Sequence, residues 1–187
     1  RQELGLENKF VVGHVGRLHP QKNHDFLIDI FAEIKKKKPD AELILVGAGP
    51  LEEKVRNKVA DKGLTESVQF LGNRKDMNRV YQAMDIFVFP SLFEGLGIVG
   101  IEAQAAGVPI VCSEGLPPET DITPIYRKLM LSDGAEKWAE VAIEMAQSSE
   151  AHTNMQKYII DAGFDMSATA KNMEEYYLHR WVNSKNE

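Results

Sequence analysis

Five short, largely apolar runs divide the first two-thirds of the chain: Phe10 to Val15, Ala41 to Val46, Val68 to Leu71, Asp85 to Phe89 and Val108 to Cys112. They are rich in β-branched residues and lack a clean apolar/polar alternation, the pattern of strands buried on both faces. Helical stretches separate them. Phe26, Leu27, Ile30, Phe31 and Ile34 fall on one stripe at helical spacing, as do Leu51, Val55 and Val59. Strands and helices alternating in this way build an open parallel sheet with helices on both faces. The expected fold is α/β, a doubly wound parallel sheet of about six strands, with Tyr126 to Leu131 as the sixth. At 187 residues the chain supports one core and one domain.

Local punctuation marks the elements. Asn23 is placed to cap the first long helix, which ends in the run Lys35 to Lys38 before Pro39. Lysines at a helix C-terminus are favourable there and read as a solvated end. Gly63 stops the second helix, Gly72-Asn73-Arg74 is a turn, and Asp76 starts a short helix through Tyr81. Residues 1–8 are polar and read as the end of a linker. After Ser113 come a loop, Glu114 to Glu119, and a helix from Asp133 to Gln147 with Trp138, Val141, Ala142 and Met145 on one face. Two more helices are expected near 150–162 and 167–183, the last with Met173, Tyr177 and Trp181 as a packing stripe.

A net charge of −6 argues against a nucleic-acid surface. The single cysteine, Cys112, allows no internal disulfide, suits a reducing compartment and reads as a small core residue. His14, inside the first strand, reads as a hydrogen-bonded core histidine rather than a ligand. No signal peptide or membrane-spanning apolar run is visible.

The stretch richest in chemistry is Pro90 to Glu102, P-S-L-F-E-G-L-G-I-V-G-I-E. A strand leads into it and a helix follows, so it is a loop feeding a helix N-terminus, whose unpaired N–H groups suit an anion such as phosphate. Gly95 and Gly97 let backbone approach a ligand closely. Glu94 lies on the loop, and Glu102, eight positions on, lies inside the helix.

That stretch, running on into E-A-x-A-x-G-x-P, resembles the E-x7-E signature of retaining glycosyltransferases with the two-domain GT-B architecture, family 4, the group 1 transferases. G-R-L-H-P-Q-K-N at 16–23 is similar to that family's phosphate loop, and L-V-G-A-G-P at 45–50 and F-L-G at 70–72 fit in the same order. The resemblance implies a Rossmann-like sheet forming the C-terminal half of a GT-B fold, with extra C-terminal helices, the last of which would cross back to the other domain and leave part of the Met173, Tyr177 and Trp181 stripe exposed where that domain is absent. Residues 1–187 would be a single donor-binding domain whose acceptor-binding N-terminal partner is absent from this chain; alone it would bind donor weakly and transfer nothing.

It further implies roles for particular residues. Arg17 and Lys22, with Gly16 beside them, would face the diphosphate; a guanidinium fork and an ammonium can compensate its charge, so no metal or other cofactor is expected. Glu102 would accept from both ribose hydroxyls. Glu94 would hold a donor-sugar hydroxyl near the anomeric carbon. Backbone N–H groups of Gly95, Leu96, Gly97 and Ile98 would face sugar and phosphates, and Asn73 and Arg74 would flank the base. Each residue also has a plain structural reading: a salt-bridged surface loop for Arg17 and Lys22, a favourable helix-start carboxylate for Glu102, solvent exposure for Arg74.

The implied reaction transfers a glycosyl group, with retention, from a nucleotide diphosphate sugar, with a UDP-sugar favoured, to a saccharide or lipid-linked acceptor. The implied location is the cytoplasm, with peripheral association of the full-length protein at the inner face of the membrane. Two departures stand out: Leu96 replaces a common phenylalanine, and residues 113–134 lack the usual G-G-x-x-E. That variant segment is similar to the bacterial exopolysaccharide or capsule branch, and leaves open the cover of the donor on that side and a role for Glu119. The alternative is a non-catalytic nucleotide- or sugar-binding module. An oxidoreductase dinucleotide domain is excluded because no G-x-G-x-x-G is present and G-A-G-P follows the second strand. A receiver domain is excluded because His14-Val15-Gly16-Arg17 offers no aspartate cluster.

Overall fold

A computed structural model describes residues 1–184. Six parallel strands carry the fold: β1 (Phe10–Val15), β2 (Ala41–Val46), β3 (Val68–Gly72), β4 (Ile86–Phe89), β5 (Ile110–Ser113) and β6 (Tyr126–Leu129). Between and after them lie α1 (His24–Lys37), α2 (Glu52–Asp61), α3 (Met77–Tyr81), α4 (Ile98–Ala105), α5 (Gly134–Ala146), α6 (Gln156–Asp161) and α7 (Met166–Ser184). Strand order is β3-β2-β1-β4-β5-β6, so the order reverses between β1 and β4. The two strands pair in parallel through Val12↔Ile86 and Gly13↔Phe87.

The two-residue period of a strand sorts side chains between two cores. Val12, Leu43, Leu45, Ile86, Val88 and Val111 face α1, α2 and α5. Their neighbours Val11, Ile44, Val46, Phe87, Phe89 and Cys112 face α3 and α4. The α1 stripe is buried as its spacing predicts, with Ile28 added and Phe26 only partly covered, its ring edge-on to Trp138 at 5.6 Å. Cys112 is a fully buried core residue. Among the described residues no helix is long and apolar enough to cross a membrane.

Several sequence expectations are corrected. Asn23 stands at the α1 N-cap, but its side chain caps nothing; its backbone is left-handed at φ 55°, a conformation asparagine tolerates. Residues 1–8 are no loose linker: Leu6 is fully buried, and Arg1 pairs with Asp85 at 2.5 Å. β6 ends at Leu129, because Leu131–Asp133 winds into a 3-10 turn. The helix expected at 150–162 shortens to Gln156–Asp161. Met173, Tyr177 and Trp181 are 58%, 64% and 57% exposed rather than packed, the exposed outcome of the two that the sequence allowed; among the described residues neither core includes a residue of α7.

His14 is fully buried, as a core histidine should be; its Nδ1 lies 2.9 Å from the Val88 carbonyl oxygen. The His24 ring stands edge-on to it at 4.8 Å. Burial, then the nearby Lys22 charge, push His24 from 6.5 down to about 4. Burial and then His24 lower His14 well below the usual value. Both imidazoles are therefore neutral in the folded protein near pH 7. The unfolded chain binds protons at these positions below about pH 6.5 and the folded chain does not, so stability falls with pH across that window. His24 alone is expected to remove about 3 kcal/mol of unfolding free energy between pH 7 and pH 4. Urea unfolding at both pH values checks this, and His24→Gln should flatten the dependence by that amount.

Candidate functional site

The reversal between β1 and β4 opens a crevice at the carboxyl edge of the sheet. Two loops line it: 16–23 after β1 and 90–97 after β4. They are stitched together. The Leu92 N–H donates to the Gln21 carbonyl at 2.8 Å, and Gln21 Nε2 donates to the Phe93 carbonyl at 2.9 Å.

The same contact brings two predicted residues face to face. Lys22 Nζ lies 2.7 Å from Glu94 Oε1, with side chains only 14% and 7% exposed. The ammonium also sits 4.9 Å from the centre of the Phe89 ring, and the lysine stem packs against Gly16. Gln21 Nε2 reaches the other Glu94 oxygen at 3.3 Å. A charge pair this sheltered holds its geometry, because neither partner is compensated by water alone. Arg17, on the same loop, is exposed.

α4 begins at the end of the second loop. Gly97 is its N-cap at φ 71°, a left-handed turn that favours glycine. The Glu94 N–H is engaged by the Gly115 carbonyl at 3.0 Å. Among the described residues the amides of Gly95, Leu96, Gly97 and Ile98 donate to no protein acceptor, so the start of α4 presents free donors. At Gly95 a side-chain carbon would meet open space.

Glu102 lies one turn into α4, exposed, and accepts from the Tyr81 hydroxyl at 2.8 Å. Asn73 and Arg74 follow β3 on the same edge. Asn73 is exposed, whereas the Arg74 guanidinium is forked onto Asp76 at 2.9 and 2.7 Å. The Arg74 side chain is thus neither simply solvated nor free to reach outward; it braces its own turn.

Three residues at this edge escaped the sequence reading. Gln21 adjoins Lys22, and its place in the loop was the available signal. Tyr81 reads from sequence only as the end of a short helix. Gly115 belongs to the atypical segment after β5, and it answers what abuts the Glu94 loop on that side. Glu119, by contrast, is exposed in a 3-10 turn.

The sequence profile described as glycosyl transferases group 1 matches residues 1–162. The chain belongs to that family. It is 34% identical over 140 residues to a glycosyltransferase named EpsF from Bacillus subtilis (strain 168), an alignment covering 74% of this chain and 36% of the relative. It is 35% identical over 156 residues to a GDP-mannose-dependent monoacylated alpha-(1-6)-phosphatidylinositol monomannoside mannosyltransferase from Corynebacterium glutamicum, covering 78% of this chain and 40% of that protein. In three dimensions it is similar to HepE from Anabaena in complex with UDP and glucose, with a TM-score of 0.80 and 25% identity over 96% of this chain and 51% of that one. The fold is a Rossmann-like α/β sheet that matches GT-B glycosyltransferase structures, and the chain spans about half or less of the length of these relatives.

Gly115 has a structural consequence that can be measured. A Cβ there would stand 2.3 Å from the Leu92 carbonyl oxygen, a backbone atom that cannot swing aside. Gly115→Ala should therefore displace the Glu94 loop and destabilise the domain by about 1–3 kcal/mol, read by thermal or urea unfolding. An unchanged midpoint would show that the two loops do not press on each other.

Proposed function

We propose that this chain is the donor-binding domain of a retaining glycosyltransferase acting on a nucleotide diphosphate sugar, with a UDP-sugar as the favoured donor. The observation that carries the reading is the junction at the β1/β4 crevice, where Lys22, Glu94 and the free amides of α4 converge. Anionic oxygens of a diphosphate match those amides together with Arg17 and Lys22. Glu94, held by Lys22 and Gln21, lies beside the same loop and is suited to a donor-sugar hydroxyl. Glu102, further along the helix, is suited to the ribose, and the Asn73–Arg74 turn to the base. The HepE neighbour was solved with UDP and glucose, whereas one relative is named for GDP-mannose. The base is therefore the first thing to test.

In the reaction the bond from the anomeric carbon to the diphosphate breaks, and negative charge grows on the leaving group. Arg17, Lys22 and the α4 amides are preorganised to stabilise it. Positive charge at the anomeric carbon is countered by Glu94. This chemistry asks no metal of the site, because fixed cations and amides supply the compensation. The acceptor, a saccharide or lipid-linked saccharide in bacterial exopolysaccharide or capsule synthesis, would be held by a second domain outside these residues. The protein would work in the cytoplasm, at the inner face of the membrane where the acceptor is lipid-linked.

Calorimetric titration of the intact protein with UDP, GDP and ADP should give saturable binding of one of them, UDP first. Glu102→Ala should weaken it by at least about tenfold, the scale of a lost charged hydrogen bond. Binding of none would sink the reading. Arg17→Ala in the intact enzyme should lower kcat by about 100- to 1000-fold. Arg17 is the better probe because it is exposed; Lys22→Ala should lose as much rate but also strands Glu94 without its partner. Nucleotide binding with normal turnover in Arg17→Ala would contradict the assigned role. Binding without any transfer by the intact protein would favour the non-catalytic module.

A further inference from the structure

Tyr81 is a deeply buried side chain whose hydroxyl touches a residue of the candidate site. It closes α3, is 2% exposed, and its ring stands edge-on to Phe87 at 6.2 Å. Its hydroxyl points the other way, into the first turns of α4. There it donates to Glu102 Oε2 at 2.8 Å, with the Val99 carbonyl at 3.3 Å as a second acceptor. Glu102 itself is exposed and mobile in principle about three side-chain torsions, so the tyrosine is what restrains its carboxylate. Burial and the Glu102 carboxylate raise the phenol well above its ordinary value, so it remains a donor throughout the physiological range.

Geometry follows from that single bond. With Oε2 held by Tyr81, one end of the carboxylate is anchored, and Oε1 and the second acceptor position of Oε2 remain for a ligand. A carboxylate fixed in this way can accept from two adjacent hydroxyls at once; a free one can satisfy either through water. The helix bearing Tyr81 also follows the turn that Arg74 and Asp76 brace. One short element thus links that turn to the Glu102 carboxylate.

We propose that Tyr81 is a positioning residue that orients Glu102 and thereby makes the site discriminate ribose from 2′-deoxyribose nucleotides. The proposal rests on the donor-site reading above. Its test is calorimetry on the intact protein with UDP, GDP and ADP and their 2′-deoxy counterparts, for wild type and Tyr81→Phe. The wild type should prefer the ribonucleotide. In Tyr81→Phe, affinity for that ribonucleotide should fall about tenfold, as expected when the unanchored carboxylate gives up one hydrogen bond to the ribose, while its deoxy analogue changes less than about twofold. The preference then approaches unity. A purely structural role would weaken both ligands alike and leave their ratio unchanged, and that result overturns the proposal.

Glu102→Asp provides an independent arm, since an exposed position tolerates the change and the shorter side chain withdraws the carboxylate from the Tyr81 hydroxyl. It should lose the same discrimination; full discrimination in Glu102→Asp also overturns the proposal. Absence of any nucleotide binding by the wild type removes the donor-site reading and this inference with it. Wild-type binding with an unaltered preference in Tyr81→Phe removes this inference alone.

Discussion

The parallel pairing of β1 with β4 is the constraint on which the site depends. Two strands and three α-helices separate these neighbours in sequence order, yet Val12 lies beside Ile86 and Gly13 beside Phe87. Each strand delivers a loop to the carboxyl edge, and because the crossovers leave in opposite directions no helix covers the gap between them. Gln21 and Leu92 can then exchange a backbone bond across the gap, and Lys22 can reach Glu94. Both following helices start from a left-handed residue, Asn23 at φ 55° and Gly97 at φ 71°. The two entry turns are sharp enough to keep both loops short.

One positive charge organises the interior of that junction. Lys22 pairs with Glu94 in front and lies over the Phe89 ring. Behind it stand two buried histidines whose protonation it disfavours, after burial itself. The folded protein thus seats the Lys22 ammonium against Glu94 and keeps the imidazoles behind it neutral. A charged histidine there would repel the ammonium that holds Glu94 in place.

The site is also buttressed from its two sides by residues with no chemistry of their own. Gly115 brings the loop after β5 flush against the Leu92–Glu94 backbone, taking the Glu94 amide and leaving the next four free. Tyr81 rises from the core on the α3–α4 face to hold Glu102. The atypical segment 113–134 therefore serves as the wall of the Glu94 loop. Farther away, Gln104 anchors the Thr120–Thr123 part of it to α4 through bonds to both residues.

Most strand and helix positions, the doubly wound class and the two loops at the carboxyl edge of β1 and β4 were legible in the sequence, because each is written in local periodicity and in glycine, proline and asparagine punctuation. The apolar runs from Phe10 to Cys112 became strands within a residue or two of their expected bounds. What the sequence could not decide was which side chains meet. Lys22 and Glu94 are 72 positions apart, and Tyr81 and Glu102 21 apart, so neither contact follows from any local pattern. Leu6 looked like part of a polar lead-in but is buried, and the α7 stripe looked like packing but is exposed. Hydrophobic spacing tells a residue which face of its own element it occupies. Only the order of strands in the sheet decides whether another element stands opposite that face.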